Sequence, residues 1–248
     1  MSEPRLRETW LVRKHEALVL GILYATFTAA WFLVGWLLTH SLKNSWLVHT
    51  DQSISRWFVS RRAPTMNSLT FIGSMMADTM VKIIVTAVVA VAMLIVWKRW
   101  LEPLMVVVPL VLEALTFITV TTLVGRPLPN ATPLETSAVG SSFPSGHMGA
   151  AVVYSGIIVV VFWHTRRYWI RALAAAVAVL IPAFVGFSRI YRGMHYFTDV
   201  VFGALLGGAA VFSTAVILRR AAADYPEAVR SDEHPVDLHL EPAVVGRQ

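Results

Sequence analysis

Ser188-Arg189-Ile190-Tyr191-Arg192-Gly193-Met194-His195-Tyr196-Phe197-Thr198-Asp199 sets guanidiniums, an imidazole and a carboxylate at the mouth of an apolar run. Charge is costly there, so function is the default reading of such a cluster. If the chain is already helical at this point, His195 and Asp199 stand four residues apart on one face, and the carboxylate can accept a proton from one ring nitrogen. The other nitrogen then keeps its lone pair, which prepares the imidazole as a nucleophile or base.

Pro144-Ser145-Gly146-His147 stands immediately before another apolar run. A helix N-terminus presents free N–H groups and partial positive charge, so an anion fits there. Ser145 can add a hydroxyl donor, and Gly146 lets a ligand approach the backbone without a Cβ in the way. The plain alternative is an N-cap serine beside an incidental interfacial histidine. Arg126-Pro127 closes a third run, with a snorkelling arginine and a helix-ending proline as its plain alternative. Two arginines, helix N–H groups and a serine make a pocket for a tetrahedral dianion. Two histidines then divide the work, one attacking phosphorus and the other protonating the departing oxygen. Few acids occupy the connections at that end apart from Asp199, so the carboxylate set that would hold magnesium is missing. No metal and no other cofactor is expected.

The elements that must position these groups are membrane helices. Apolar residues make up 56% of the 248 and charged residues 15%, with a mean hydropathy of +0.62, outside the range of soluble domains. A helix crossing the hydrocarbon core needs roughly 20 mostly apolar residues. Six stretches qualify or nearly qualify, at about 17–39, 79–97, 103–124, 148–164, 168–187 and 200–218. The expected fold is therefore all-α, a polytopic bundle of six transmembrane helices with short interfacial helices. The expected divisions are a cytoplasmic segment 1–16, a six-span domain 17–220 and a disordered cytoplasmic tail 221–248. The first span is too long, and lacks the cleavage pattern, for a removed signal peptide. Zero cysteines exclude disulfides and thiolate chemistry. The net charge of +6 follows the ends of the apolar runs and accompanies no nucleic-acid motif.

Lys and Arg gather at alternate span ends: Arg5, Arg7, Arg13 and Lys14; Lys98 and Arg99; Arg166, Arg167 and Arg171; Arg219 and Arg220. The positive-inside tendency makes these ends cytoplasmic and turns all the chemistry-bearing loops toward the extracytoplasmic face of the cell membrane. In the connection 40–78, Ile54, Trp57 and Phe58 among Arg56, Arg61 and Arg62 suit a short interfacial helix, a solvated loop being the alternative. Gly203 and Gly207 form a small-xxx-small pair for close helix contact, within one chain or between protomers. Asn130-Ala131-Thr132 fits a glycosylation acceptor but carries no weight, since so short a pattern recurs by chance.

Pro144-Ser145-Gly146-His147 and Ser188-Arg189-x5-His195-x3-Asp199 resemble the second and third signatures of the type 2 phosphatidic acid phosphatase superfamily. The first, Lys-x6-Arg-Pro, is matched only in Arg126 and Pro127, because Thr119 stands at its lysine position. The resemblance implies a phosphohistidine mechanism with His195 as nucleophile, Asp199 orienting it and His147 as general acid. Arg126, Arg189, Ser145 and Gly146 would hold the phosphate, and Lys82 is a candidate substitute for the missing cation. Glu113, a further charge within a span, is expected to pair with a buried polar group.

The implied activity is hydrolysis of a lipid phosphate or diphosphate at the outer leaflet, with undecaprenyl diphosphate, phosphatidic acid and phosphatidylglycerol phosphate as candidates. The alternatives are transfer of the phosphate to another lipid or sugar, and a binding or transport protein without turnover. Expected partners are the lipid phosphate and membrane lipids, with no nucleic acid; oligomeric state stays open.

Overall fold

A computed structural model describes residues 14–129, 132–136 and 140–232, the side chains of Lys14 and of 223–232 excepted. Every regular element among the described residues is helical. Helix α1 (Lys14–Trp36) continues through a π-helical turn at Leu37–Ser41, followed by α2 (Trp46–Val59) and α3 (Pro64–Met75). Next come α4 (Thr79–Trp97), α5 (Leu101–Val124), α6 (Gly146–Val153), α7 (Gly156–His164), α8 (Tyr168–Tyr191) and α9 (Phe197–Asp232). Among the described residues, six stretches are long and apolar enough to cross a membrane: 15–41, 79–97, 101–124, 146–164, 168–191 and 197–222. These are the six expected spans.

The local chemistry at the ends explains most boundaries. Ser45 and Asp78 cap α2 and α4 by accepting the N–H groups of Val48 and Met80, which satisfies donors a helix start leaves free. Pro64 opens α3, where its missing N–H costs nothing. Helix α5 ends at Gly125, whose φ of +59° is the left-handed cap that glycine adopts without strain. The fourth span breaks between α6 and α7 at Tyr154-Ser155. A Cβ on the following Gly156 would lie 2.6 Å from the Met105 carbonyl oxygen, so α7 can touch α5 only through a glycine.

Ile83, Ile84, Val88, Val91 and Ile95 on α4 are each more than half exposed on the outside of the bundle. A water-facing helix would be polar along that stripe; an apolar one is matched to lipid. Trp97, Trp100, Trp163, Tyr168 and Trp169 stand at the helix ends remote from the signature residues, where an aromatic belt meets the headgroups.

Helix α5 packs against α1, α4, α6, α7 and α9, while α6 lies against α5, α8 and α9. Met105, Val106 and Leu110 of α5 form one core cluster with Val153, Val160, Val211 and Leu218. Leu38, Val120, Val124 and Phe143 form another toward the signature end. Gly203 and Gly207 serve packing within the chain: a Cβ on either would lie 2.4 Å from the carbonyl oxygen of Ser145 or Gly149, respectively. Helix α9 therefore runs against the backbone of α6.

Two boundaries differ from expectation. The 40–78 connection holds two helices instead of one, because Pro64 starts a second after the turn at 60–63. The last helix runs to Asp232 rather than ending near 220, since Ala221-Ala222-Ala223 favours helix past the last apolar turn. Residues 1–13 and 233–248, and the Asn130-Ala131 pair, lie outside the described residues.

Candidate active site

At the signature end, α3, α4, α5, α6 and the connection after α8 enclose a cavity of about 630 Å³. Its charged and titratable lining consists of Asp78, Lys82, Glu135, His147, Arg189 and His195. Gly146 contributes the bare start of α6, while Phe71, Met75 and Phe117 supply an apolar wall. Four of the expected site residues, His147, His195, Arg189 and Gly146, thus meet in one space, and Lys82 joins them from α4.

His195 is buried in the turn between α8 and α9, with Nδ1 2.6 Å from the Ser142 carbonyl oxygen. A carbonyl only accepts, so Nδ1 carries the proton and, in the neutral ring, Nε2 keeps the lone pair. Burial, followed by the charge of Arg189, pushes the His195 imidazole down to about 3. The ring is neutral in the ligand-free protein at ordinary pH.

Asp199 and His195 share no hydrogen bond. Its Oδ2 accepts the Tyr196 N–H at 2.8 Å, and its Oδ1 is bound by Arg126 Nη1. Helix α9 begins at Phe197, so His195 precedes it and the helical i, i+4 relation never arises. Asp199 instead occupies the first turn, where a carboxylate suits the free N–H groups and the dipole.

Arg126 also stands outside the cavity. It is buried between Asp51 at 3.1 Å, Asp199 and the Thr198 hydroxyl at 2.8 Å, with its guanidinium 4.3 Å from the Tyr196 ring centroid. Asp51 further accepts the Thr198 N–H and hydroxyl. This cluster ties α2 to the start of α9. Thr119 shares hydrogen bonding with the Tyr24 hydroxyl at 2.8 Å, facing α1. Phe117 lines the cavity, and two residues along a helix turn the side chain by about 200°, which explains why position 119 looks away. Ser145 is fully buried and caps α6 by accepting the Met148 N–H. Arg126, Asp199, Thr119 and Ser145 are therefore not among the residues brought into the cavity lining.

Glu113 is fully buried beside Gly149, and neither carboxylate oxygen has a hydrogen-bond partner among the described residues. The pairing expected for it is absent.

Three acids at this end, Asp51, Asp78 and Glu135, escaped the sequence. Asp51 lies on the buried stripe Val48, Asp51, Ser55 of α2, and an acid on an inward stripe was the available signal. Asp78 caps α4. Glu135 and Arg192 form an ion pair, Oε1 to Nε, at 2.5 Å, while Glu135 Oε2 lies 2.6 Å from Arg189 Nη1 and 3.0 Å from Ser74 Oγ. The expectation of few acids at this end is thus corrected by Asp51, Asp78 and Glu135.

The sequence pattern of the PAP2 superfamily matches residues 103–222. The chain is 42% identical over 72 residues to phosphatidylglycerophosphatase B of Bacillus subtilis, covering 27% of this chain and 34% of that protein. It is 33% identical over 84 residues to undecaprenyl-diphosphatase of Sulfolobus acidocaldarius, covering 34% and 37% respectively. The matched stretches thus span about a third of each relative's length. The fold is that of a crystal structure of a transmembrane PAP2-type phosphatidylglycerolphosphate phosphatase from Bacillus subtilis. The TM-score is 0.67 at 23% identity, over 78% of this chain and 96% of that one.

Proposed function

We propose that this chain is a PAP2-superfamily membrane phosphatase, hydrolysing a lipid phosphate or diphosphate at the extracytoplasmic face through a phosphohistidine on His195. The observation that carries the reading is the shared cavity: two histidines, Arg189, Lys82 and the open start of α6 line one space with an apolar wall.

The phosphate sits among Arg189, Lys82 and the first N–H groups of α6, which hold charge as it develops on the equatorial oxygens. His195 attacks phosphorus through Nε2, the nitrogen left free when Nδ1 donates to Ser142. The bond to the lipid oxygen breaks, and His147 gives that oxygen its proton. Neutral His147 then takes a proton from water, whose oxygen attacks the phosphohistidine and returns the Nε2 lone pair as inorganic phosphate leaves. Cations of the chain supply the charge, so no metal is required. Phe71, Met75 and Phe117 suit the first atoms of a lipid tail.

The orientation rests on the alternation of Lys and Arg at the span ends, which makes the signature end extracytoplasmic. Undecaprenyl diphosphate, phosphatidic acid and phosphatidylglycerol phosphate all present the required phosphate beside an apolar chain.

The test is phosphate release from these lipids by the detergent-purified protein with chelator present, beside a His195→Ala variant. Release that survives chelator and disappears in the variant is expected. Loss with chelator overturns the metal-free mechanism, and equal release by the variant overturns the nucleophile.

A further inference from the structure

The connection between α5 and α6 sends Glu135 into the cavity, and its carboxylate meets the donors a phosphate needs. Oε2 accepts from Arg189 Nη1 at 2.6 Å and from the Ser74 hydroxyl at 3.0 Å. Oε1 lies 2.5 Å from Arg192 Nε. Arg189, Arg192 and Ser74 are each buried and come from α3 and the end of α8, whereas the Glu135 side chain keeps 22% exposure. The donors are fixed and the acceptor is the accessible partner. Its neighbours hold to the frame through backbone: Leu134 N–H donates to the Arg192 carbonyl at 3.0 Å, and Arg62 donates to the Thr132 carbonyl at 2.6 Å.

We propose that Glu135 is an internal surrogate anion, holding the cradle of Ser74, Arg189 and Arg192 in the ligand-free protein and exchanged for the substrate phosphate on binding. The inference rests on the reading of the cavity as a phosphate site. Guanidinium forks bind carboxylate and phosphate with the same geometry, so one oxyanion can replace the other on these donors. Charge argues for replacement over sharing. The cavity and cradle hold three cations, Lys82, Arg189 and Arg192, against the carboxylates of Asp78 and Glu135. A dianion added beside both acids would leave an excess of negative charge in a confined space. With Glu135 displaced into solvent, three cations face a dianion and Asp78, and the site is neutral. The exchange also lowers apparent affinity, since only the fraction of molecules with the cradle open binds.

Inorganic phosphate is the probe, and its dissociation constant is measured by calorimetry on the full chain in detergent for wild type, Glu135→Gln, Glu135→Ala and Arg189→Ala. Tighter binding by about 10-fold in Glu135→Gln, equivalent to removing a ~90% occupied competitor, is expected. Glu135→Ala gives the same sign if the glutamine variant does not fold. Arg189→Ala should lose binding. Equal or weaker phosphate binding in both folded Glu135 variants, while wild type binds and Arg189→Ala does not, overturns the exchange and leaves the phosphate site standing. Phosphate binding unaffected by Arg189→Ala overturns the site itself.

Discussion

Asp199 and His195 stand four residues apart and make no hydrogen bond to each other: the carboxylate belongs to Arg126 and the imidazole to the Ser142 carbonyl. His195 is thus held by main chain, while Asp199 is tied to Arg126.

Lys82 is a half-buried cation of the cavity without an ion pair among the described residues. Lys82→Ala should lower kcat/KM by about 10- to 100-fold, the worth of one charge-assisted hydrogen bond of ~1.5–3 kcal/mol, with little change in thermal midpoint. Steady-state kinetics beside a melting curve check both halves.

Thr119→Lys restores the lysine of the first signature in sequence but not in space. Position 119 faces Tyr24 on α1, so the variant should gain no kcat/KM and should lose stability with the displaced hydrogen bond. A rise in activity would show that the site draws on that face of α5.

Asp51→Ala leaves Arg126 buried with Asp199 as its remaining carboxylate. Removing one partner of a buried ion pair costs ~3–5 kcal/mol, and the lower figure applies here because Asp199 still faces the guanidinium. Denaturant or thermal unfolding in detergent should show this loss, with activity per folded molecule falling less steeply.

His195 titrates near 3 in the fold, against an ordinary value of about 6.5, so the unfolded chain takes up its proton first on acidification. Its neutral ring therefore leaves stability unaffected above about pH 6.5 and lowers it as pH falls from there toward 3. His195→Gln can still donate to Ser142 without titrating. The variant should lose less thermal stability than wild type between pH 7 and pH 5.

The hydrophobic runs made the spans legible because a lipid-facing helix must be apolar for most of its length, and their limits fall within a few residues of those expected. His147, His195, Arg189 and Gly146 were legible because two compact signatures each sit at a span mouth. The frame was not. Reading Asp199 as the partner of His195 presumed a helix that starts two residues too late. Arg126 reads as a phosphate ligand until Asp51, 75 residues upstream, is brought against it. Glu135 carries no periodicity and no motif, so only tertiary contact reveals it.

The abutment of Gly203 and Gly207 on the carbonyls of Ser145 and Gly149 makes the depth of His147 depend on a segment synthesised more than fifty residues later. A nascent chain halted before its sixth crossing would own every polar group of the second signature and still lack the surface that sets its height. Catalytic competence should therefore appear all at once, at the end of membrane insertion, instead of growing span by span.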